Sequence, residues 1–288
     1  MMRSLLFVPG DSARKFTRAR ECGADALIID LEDSVAPDAK ETARQETAAM
    51  LQAPRGRQKL FVRVNAFDTD LTATDLAAVM AHRPDGIALP KCDGPEQVKR
   101  LAHMLDALEA AHGIAPGSTL ILAIVTETAA SLFGLGSYRG CSERLWGMMW
   151  GAEDLAASFG ATANRDAQGN MFAPYRLARN LCLAGAAAAG VVAVDTVAVT
   201  IDDLAAVEQE AREARRDGFM AKGVIHPKHI EPVNAAFRPS DDEIAWARRI
   251  TDAFGNQADL GVVKIDGQMI DKPHLRAAER ILASLAPS

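Results

Sequence analysis

The sequence predicts a parallel α/β fold closed into an eight-stranded barrel, and three observations carry that prediction. Eight short runs rich in β-formers recur at a mean spacing of about 30 residues, the pitch expected when roughly 250 residues supply eight βα units. The runs alternate with helical patterns, so neighbouring strands run parallel and their crossovers are right-handed. No Gly-x-Gly-x-x-Gly follows the first run, which argues against an open doubly wound sheet. The expected architecture is a (β/α)8 TIM barrel with a C-terminal helix-hairpin-helix lid extension.

Each element follows from its own residues. The strand-like runs are 4–8, 26–31, 60–65, 86–90, 120–126, 145–151, 191–200 and 219–226. Several are apolar on nearly every residue, as in Ile121-Leu122-Ala123-Ile124-Val125, which fits strands covered on both faces. Between them, 95–112 and 202–217 show helical patterns, the second opening on Asp202-Asp203 as cap and early negative charge. The run 181–201 approaches the length of a membrane span, but Gly185, Gly190 and Asp195 interrupt it, so it reads as a buried helix feeding a buried strand. The barrel is used up near Phe237, dividing the chain into a barrel, 1–237, and an extension, 238–288. There Ser240 caps a helix running to about Phe254, residues 260–273 form a hairpin around Asp266-Gly267, and a last helix starts at Pro273. Such a tail is either a lid over the barrel mouth or an oligomer arm.

At 49% hydrophobic residues the chain has ample material for a core, which excludes disorder and fibre. A net charge of −6 with both signs interspersed offers no field to nucleic acid or an anionic membrane, leaving small molecules and other copies of the chain as partners. The four cysteines, Cys22, Cys92, Cys141 and Cys182, form no Cys-x-x-Cys pair and read as reduced thiols rather than zinc ligands or a disulfide scaffold. The apolar start Leu5-Leu6-Phe7-Val8 is too short for a signal peptide, so a cytoplasmic protein is expected.

In a parallel barrel, chemistry sits at the carboxyl ends of the strands. The polar residues falling there are Asp11, Ser12 and Arg14 after the first run, Asp30, Glu32 and Asp33 after the second, and Arg63 and Asn65 at the third. Then come Lys91, Glu127, Glu153 with Asp154, Asp195 with Thr196, and His226. Glu127 and Asp154 close neighbouring apolar runs, and a hard divalent cation held by such a carboxylate pair keeps positions open for substrate oxygens. The competing explanation makes Thr126, Glu127 and Asp154 helix N-caps. Arg63 could equally pair with Asp30 or Glu32 inside the barrel, and Glu32 and Asp33 read as scaffold for Arg or Lys partners. Lys91 as a Schiff-base lysine needs a desolvation that sequence does not show. His226, before Pro227, is either a helix-start residue or a thioester contact.

The blocks that carry a wider likeness are Arg3-Ser4-Leu5-Leu6-Phe7-Val8-Pro9-Gly10, Ile29-Asp30-Leu31-Glu32-Asp33-Ser34-Val35, Val62-Arg63-Val64-Asn65, Leu89-Pro90-Lys91, Glu127-Thr128-Ala129, Gly151-Ala152-Glu153-Asp154, Gly223-Val224-Ile225-His226-Pro227 and Met269-Ile270-Asp271. In order and over almost the whole chain they resemble the citrate lyase beta-subunit-like family, which includes malyl-CoA and citramalyl-CoA lyases and belongs to the phosphoenolpyruvate/pyruvate barrel superfamily. The resemblance implies Glu127 and Asp154 as magnesium ligands, with manganese as a substitute, and Arg63 as the substrate arginine. It implies Phe7, Arg14 and Arg18 as coenzyme A contacts, two cations being suited to phosphates. Ile225 and His226 then line the thioester, and Glu153 stands beside Asp154 in the substrate site. Asp271 matches a catalytic carboxyl that the lid delivers to a neighbouring subunit, which implies a homotrimer or hexamer. Shorter members that resemble the carrier-protein-dependent citrate lyase subunit lack this tail, so its presence favours an enzyme of free CoA esters.

The implied reaction is a magnesium-dependent, reversible Claisen-type cleavage of a 3-hydroxy-3-carboxyacyl-CoA, citramalyl-CoA or malyl-CoA, to acetyl-CoA and pyruvate or glyoxylate. Magnesium would polarise the carboxylate and hydroxyl oxygens, Arg63 would stabilise charge arriving on the thioester oxygen, and Asp271 would return a proton to the enolate. The alternatives are malyl-CoA thioesterase or malate-synthase-like chemistry on the same site, and a citrate-lyase-type subunit acting on an acyl-carrier-protein thioester. Glyoxylate and pyruvate differ by one methyl, a discrimination of about 1 to 3 kcal/mol that no single residue announces.

Overall fold

In the computed structural model, which describes residues 2–255, 261–265 and 267–285, eight parallel strands close on themselves in sequence order. The first half runs β1 (Ser4–Pro9), α1 (Ala13–Glu21), β2 (Ala26–Asp30), α2 (Lys40–Leu51), β3 (Lys59–Arg63), α3 (Thr72–Val79), β4 (Gly86–Leu89) and α4 (Pro95–His112). The second half runs β5 (Leu120–Ile124), β6 (Leu145–Met149), α5 (Glu153–Phe159), α6 (Ala173–Ala189), β7 (Val192–Asp195), α7 (Leu204–Asp217), β8 (Ala221–Val224) and α8 (Ile230–Ala236). The predicted barrel is therefore the observed one.

Side chains alternate along each strand, and the two sets have different neighbours. Leu5, Ile28, Phe61, Leu122, Met149 and Val194 fill the interior. Leu6, Leu27, Ile29, Leu60, Val62 and Ile121 join the layer between strands and helices. Both sets are buried, which is why the strands read as continuous apolar runs. A Cβ on Gly86 would come within 2.3 Å of the Phe61 ring, so glycine is what lets that ring occupy the interior.

Two strand-like runs stop early for identifiable reasons. Past Arg63 the chain is captured by α3, where Asp75 accepts from the Asn65 N–H at 2.7 Å. Past Asp195 the Thr196 carbonyl accepts from the buried Lys222 ammonium at 2.8 Å instead of continuing the ladder. The helix layer is also irregular. Between β5 and β6 lie only the 3-10 turns Ala130–Phe133 and Leu135–Ser137, while α5 and α6 both fall between β6 and β7. Gly185 of α6 lies against this segment, where a Cβ would meet the Leu135 carbonyl oxygen at 2.4 Å.

The extension comprises α9 (Asp241–Gly255), the antiparallel pair β9 (Val262–Ile265) and β10 (Gln268–Asp271), and α10 (Lys272–Ala283). Ser240 caps α9 as expected: its Oγ accepts from the Glu243 N–H at 3.2 Å, and its own N–H donates to Glu243 at 2.7 Å. Ala247, Ile250, Phe254, Val263, Ile270 and Ala278 form a separate small core. Gly267 has φ +81°, as a tight hairpin requires, while Leu260 and Asp266 of the expected hairpin lie outside the described residues. Arg215 of α7 forks onto Glu243 at 2.8 and 2.9 Å. Among the described residues no helix is long and apolar enough to cross a membrane.

Candidate active site

A cavity of about 800 Å³ opens at the carboxyl ends of the strands. Its acidic wall is built strand by strand. Asp30 and Arg63 are register partners on β2 and β3. Arg63 Nε and Nη2 each donate to Asp30 at 2.7 Å, Nη1 lies 2.9 Å from Glu32, and the guanidinium sits 5.1 Å from the centre of the Phe7 ring. Asp30 also accepts from the Glu32 and Ser34 N–H groups at 2.9 and 3.1 Å. Lys91, just past β4, donates its N–H to Glu127 at 2.6 Å, and its ammonium contacts Glu32, Asp33 and Asp154.

The mouths of β5 and β6 are locked together by one hydroxyl. Thr126 Oγ1 accepts from the Gly151 N–H at 2.9 Å and donates to the Gly151 carbonyl at 3.1 Å. Glu127 and Asp154 thus face one cavity, Glu127 buried and Asp154 half-buried in the first turn of α5. The expectation that Thr126, Glu127 or Asp154 caps an α-helix is corrected: Glu127 leads into a 3-10 turn, and α5 begins after Ala152 with no side-chain cap. A Cβ on Gly151 would lie 3.0 Å from Glu127 Cγ, so a glycine keeps the space beside that carboxylate open.

Electrostatics separate the acids. Asp30 is held below its ordinary pKa: burial works against its charge, but Arg63 and the donors from Ser34 and Glu32 outweigh it. Glu127 is pushed well above the usual carboxylate range, first by burial and then by Glu32 and Asp154, against which the Lys91 N–H and Arg63 are insufficient. Lys91 is shifted upward because Glu32, Asp154 and Asp33 overcome its burial. That is opposite to what a Schiff-base lysine needs, so the idea is set aside. Burial, His229 and Lys228 lower the His226 imidazole.

The donor set fits a hard cation. No group of three or more His, Cys, Asp or Glu side chains forms a metal cage among the described residues. Magnesium takes one or two carboxylates and completes its shell with water and substrate oxygens, and two carboxylates are what Glu127 and Asp154 offer.

Of the residues named from sequence, Phe7, Arg14, Arg18, Asp30, Asp33, Arg63, Glu127, Glu153, Asp154, Thr196, Ile225 and His226 all line this cavity. Glu32 and Lys91 support it from behind. Asp11 and Ser12 are not among its lining residues, and neither is Asn65, which bonds Asp75 and Lys40. Asp195 is also withdrawn: it is buried against Lys222, Arg179 and the Trp150 indole. Asp271 stands apart, half-exposed at the N-terminus of α10 with its carboxylate against His274, which holds the acid below its ordinary pKa. Lys40 was missed. It sits on α2, where nothing in the sequence marks it, yet its ammonium binds the Leu31 and Glu32 carbonyls at 2.7 Å and Asn65 at 2.8 Å, fixing the turn that carries the acids.

A model of the HpcH/HpaI aldolase/citrate lyase family matches residues 3–227. The chain belongs to that family. A second model, for carbon–carbon bond lyases of the TIM-barrel fold, matches residues 175–286 and takes in the extension. With the family match over 3–227 and a citramalyl-CoA lyase among relatives covered over nearly the whole chain, this family member is an enzyme of the carbon–carbon lyase group acting on CoA esters. It is 35% identical over 288 residues to a (3S)-malyl-CoA thioesterase of Cereibacter sphaeroides, covering 98% of this chain and 93% of that protein. It is 30% identical over 295 residues to the mitochondrial citramalyl-CoA lyase of Rattus norvegicus, covering 97% and 85%. A crystal structure of protein CitE from Mycobacterium tuberculosis, in complex with magnesium, acetoacetate and coenzyme A, matches with a TM-score of 0.78 at 34% identity, covering 98% of this chain and 97% of that one.

Proposed function

We propose that the protein is a magnesium-dependent lyase that cleaves, or forms, a 3-hydroxy-3-carboxyacyl-CoA of the citramalyl or malyl class, with acetyl-CoA and a 2-keto acid as the other partners. One observation carries this reading: a single cavity has the Glu127–Asp154 carboxylate pair on one side and a group of three cations on the other. Glu127 and Asp154 follow β5 and β6, whereas Arg14, Lys15 and Arg18 line the cavity from α1, after β1, across the closed barrel. That polarity suits a long substrate with phosphates at one end and a metal-bridged carboxylate at the other. The volume, about 800 Å³, suits a ligand of that size. The relatives support it, one being a citramalyl-CoA lyase and another holding magnesium, acetoacetate and coenzyme A.

In this mechanism Glu127 and Asp154 would hold magnesium, which would supply Lewis-acid polarisation and templating at the hydroxy-acid end. Arg14 and Arg18 engage the coenzyme phosphates, and Ile225 and His226 flank the thioester. Arg63 contributes oriented N–H donors more than net charge, because Asp30 already neutralises it; fixed donors are what developing negative charge on a thioester oxygen requires. Asp271 serves as the acid that returns a proton to the enolate. It is half-exposed and absent from the cavity lining of its own chain, which supports a role from a neighbouring copy in a homotrimer or hexamer whose extension, 238–288, would close the mouth. We place the enzyme in the cytoplasm, in keeping with four free cysteines.

The second reading, favoured by the Cereibacter relative, is hydrolysis of the same thioester. A magnesium-dependent assay of malyl-CoA, methylmalyl-CoA and citramalyl-CoA with both products identified separates the two. Acetyl-CoA with a keto acid supports the lyase, and free CoA with a hydroxy acid supports the thioesterase. Turnover appearing only when an acyl carrier protein is added would transfer the protein to the citrate-lyase-subunit class.

A further inference from the structure

We propose that Lys91 is a tethered counter-cation of the carboxylate cluster, which holds the acids in place in the metal-free enzyme and weakens the site's hold on its divalent cation. This rests on the reading that Glu127 and Asp154 take up magnesium.

Lys91 has φ +48°, in the left-handed region that lysine rarely adopts. The conformation lets one residue serve three neighbouring loops. The Lys91 N–H is directed at Glu127 at 2.6 Å, while the ammonium reaches Glu32, Asp33 at 3.4 Å and Asp154 at 3.7 Å. The turn is secured from behind, where the Cys92 N–H donates to the Ile124 carbonyl at 3.0 Å and the Tyr138 hydroxyl to the Cys92 carbonyl at 3.2 Å. No other cation is in ion-pair contact with Asp154 among the described residues.

The consequence follows from charge. Without metal, the ammonium keeps Glu32, Asp33 and Asp154 from repelling one another, so the cluster keeps its shape. A divalent cation entering beside Asp154 meets a like charge a few ångströms away and gains a carboxylate already shared with Lys91. Lys91 therefore exchanges metal affinity for a preformed site, and binding becomes tighter when substrate oxygens add their own charge.

Calorimetric titration of magnesium chloride into substrate-free wild type, Lys91→Met and Lys91→Gly tests this. Glycine suits the positive φ and keeps the N–H that Glu127 accepts, so its folding is not at issue. Both variants should bind magnesium at least about tenfold more tightly, the effect of removing one positive charge in contact with the Asp154 carboxylate, even at a water-like dielectric. Both should melt below wild type without metal, with the gap narrowing at saturating magnesium. A lysine that merely supports the fold would give the opposite sign, since a loosened site binds metal more weakly. Unchanged or weaker binding in both variants, with wild type binding normally, overturns the role of Lys91 alone. A wild type that takes up no magnesium overturns the metal reading with it.

Discussion

Arg63→Ala should cost roughly 3 kcal/mol of folding stability, at the low end of the ~3–5 kcal/mol seen when a buried ion pair loses one partner. The two acids that lose their counter-ion are Asp30, 2% exposed, and Glu32, 4% exposed. The loss stays near the lower bound because Asp30 keeps its donors from the Glu32 and Ser34 N–H groups and Glu32 keeps Lys91. Arg63→Lys retains the charge but not the two-pronged contact with Asp30 or the stacking on Phe7, which together are worth about 2 kcal/mol. At about 2–4 °C per kcal/mol, the midpoints should fall by roughly 9 °C for alanine and about 6 °C for lysine. The pH dependence has a definite sign. Asp30 titrates below its ordinary value in the folded state, so its contribution is fully present above the unfolded pKa of about 3.9 and is lost as pH falls through the lower folded value. The gap between wild type and Arg63→Ala should therefore be widest near neutrality and shrink in acid, vanishing only as pH falls through the lowered folded value of Asp30. Urea unfolding at several pH values measures it. An alanine variant within about 1 kcal/mol of wild type at pH 7 would falsify the claim that Arg63 neutralises this pair.

Asp195→Asn and Lys222→Met should each destabilise by about 3–5 kcal/mol, and the double variant by much less than their sum; strict additivity in the double-mutant cycle would mean the two do not act as a pair. Gly151→Ala should displace the Glu127 carboxylate, which a Cβ would approach to within 3.0 Å at Cγ, and lower turnover by about a hundredfold with weaker magnesium binding. Magnesium affinity left at the wild-type level would refute that. Asp271→Asn should lower turnover while leaving magnesium binding intact, and mixed oligomers of Asp271→Asn with Glu127→Gln should regain activity that neither variant has alone. Retention of wild-type turnover by Asp271→Asn, or no recovery in mixtures that do exchange subunits, would remove the residue from the mechanism.

The barrel was legible because its strands are covered on both faces, and near-continuous apolar runs leave a plain signal at a regular pitch. Their ends were less so. Residues 196–200 keep a strand-like composition, but Lys222, a residue of the next strand, takes the Thr196 carbonyl out of the ladder. The candidate site was legible where a polar residue closes or shortly follows an apolar run, as with Arg63, Glu127 and Asp154, which all line the cavity. The same rule misplaced Asn65 and Asp195, which follow apolar runs equally well. What separates them is the partner each finds: Asp75 and Lys40 for Asn65, Lys222 and Arg179 for Asp195. Those partners lie 10 to 27 residues away, at no fixed spacing. Lys40 was illegible for the same reason, since a lysine on an amphipathic helix looks like any solvated one until its ammonium is seen under the Glu32 turn.

The charges at the mouth favour the proposed cation position at the ends of β5 and β6. Asp30 and Arg63 are register partners on β2 and β3, and Asp195 and Lys222 are register partners on β7 and β8. Each of these two acids has a base as its register partner on the adjoining strand, so each of the two pairs is neutral by construction. Between them β4 contributes Lys91, while β5 and β6 contribute Glu127 and Asp154, and Lys91 is shared with Glu32 as well. The β5–β6 sector is thus short of positive charge, and burial makes the shortage expensive, which is why the Glu127 carboxyl is driven toward its protonated form. No side chain within hydrogen-bond reach of Glu127 supplies the missing charge among the described residues; only a backbone N–H does. A divalent ion between Glu127 and Asp154 would restore the balance and bring open coordination positions facing the cavity. The negative end of a substrate would then be drawn to that ion's open positions, and a thioester lacking a carboxylate would find little there to hold it.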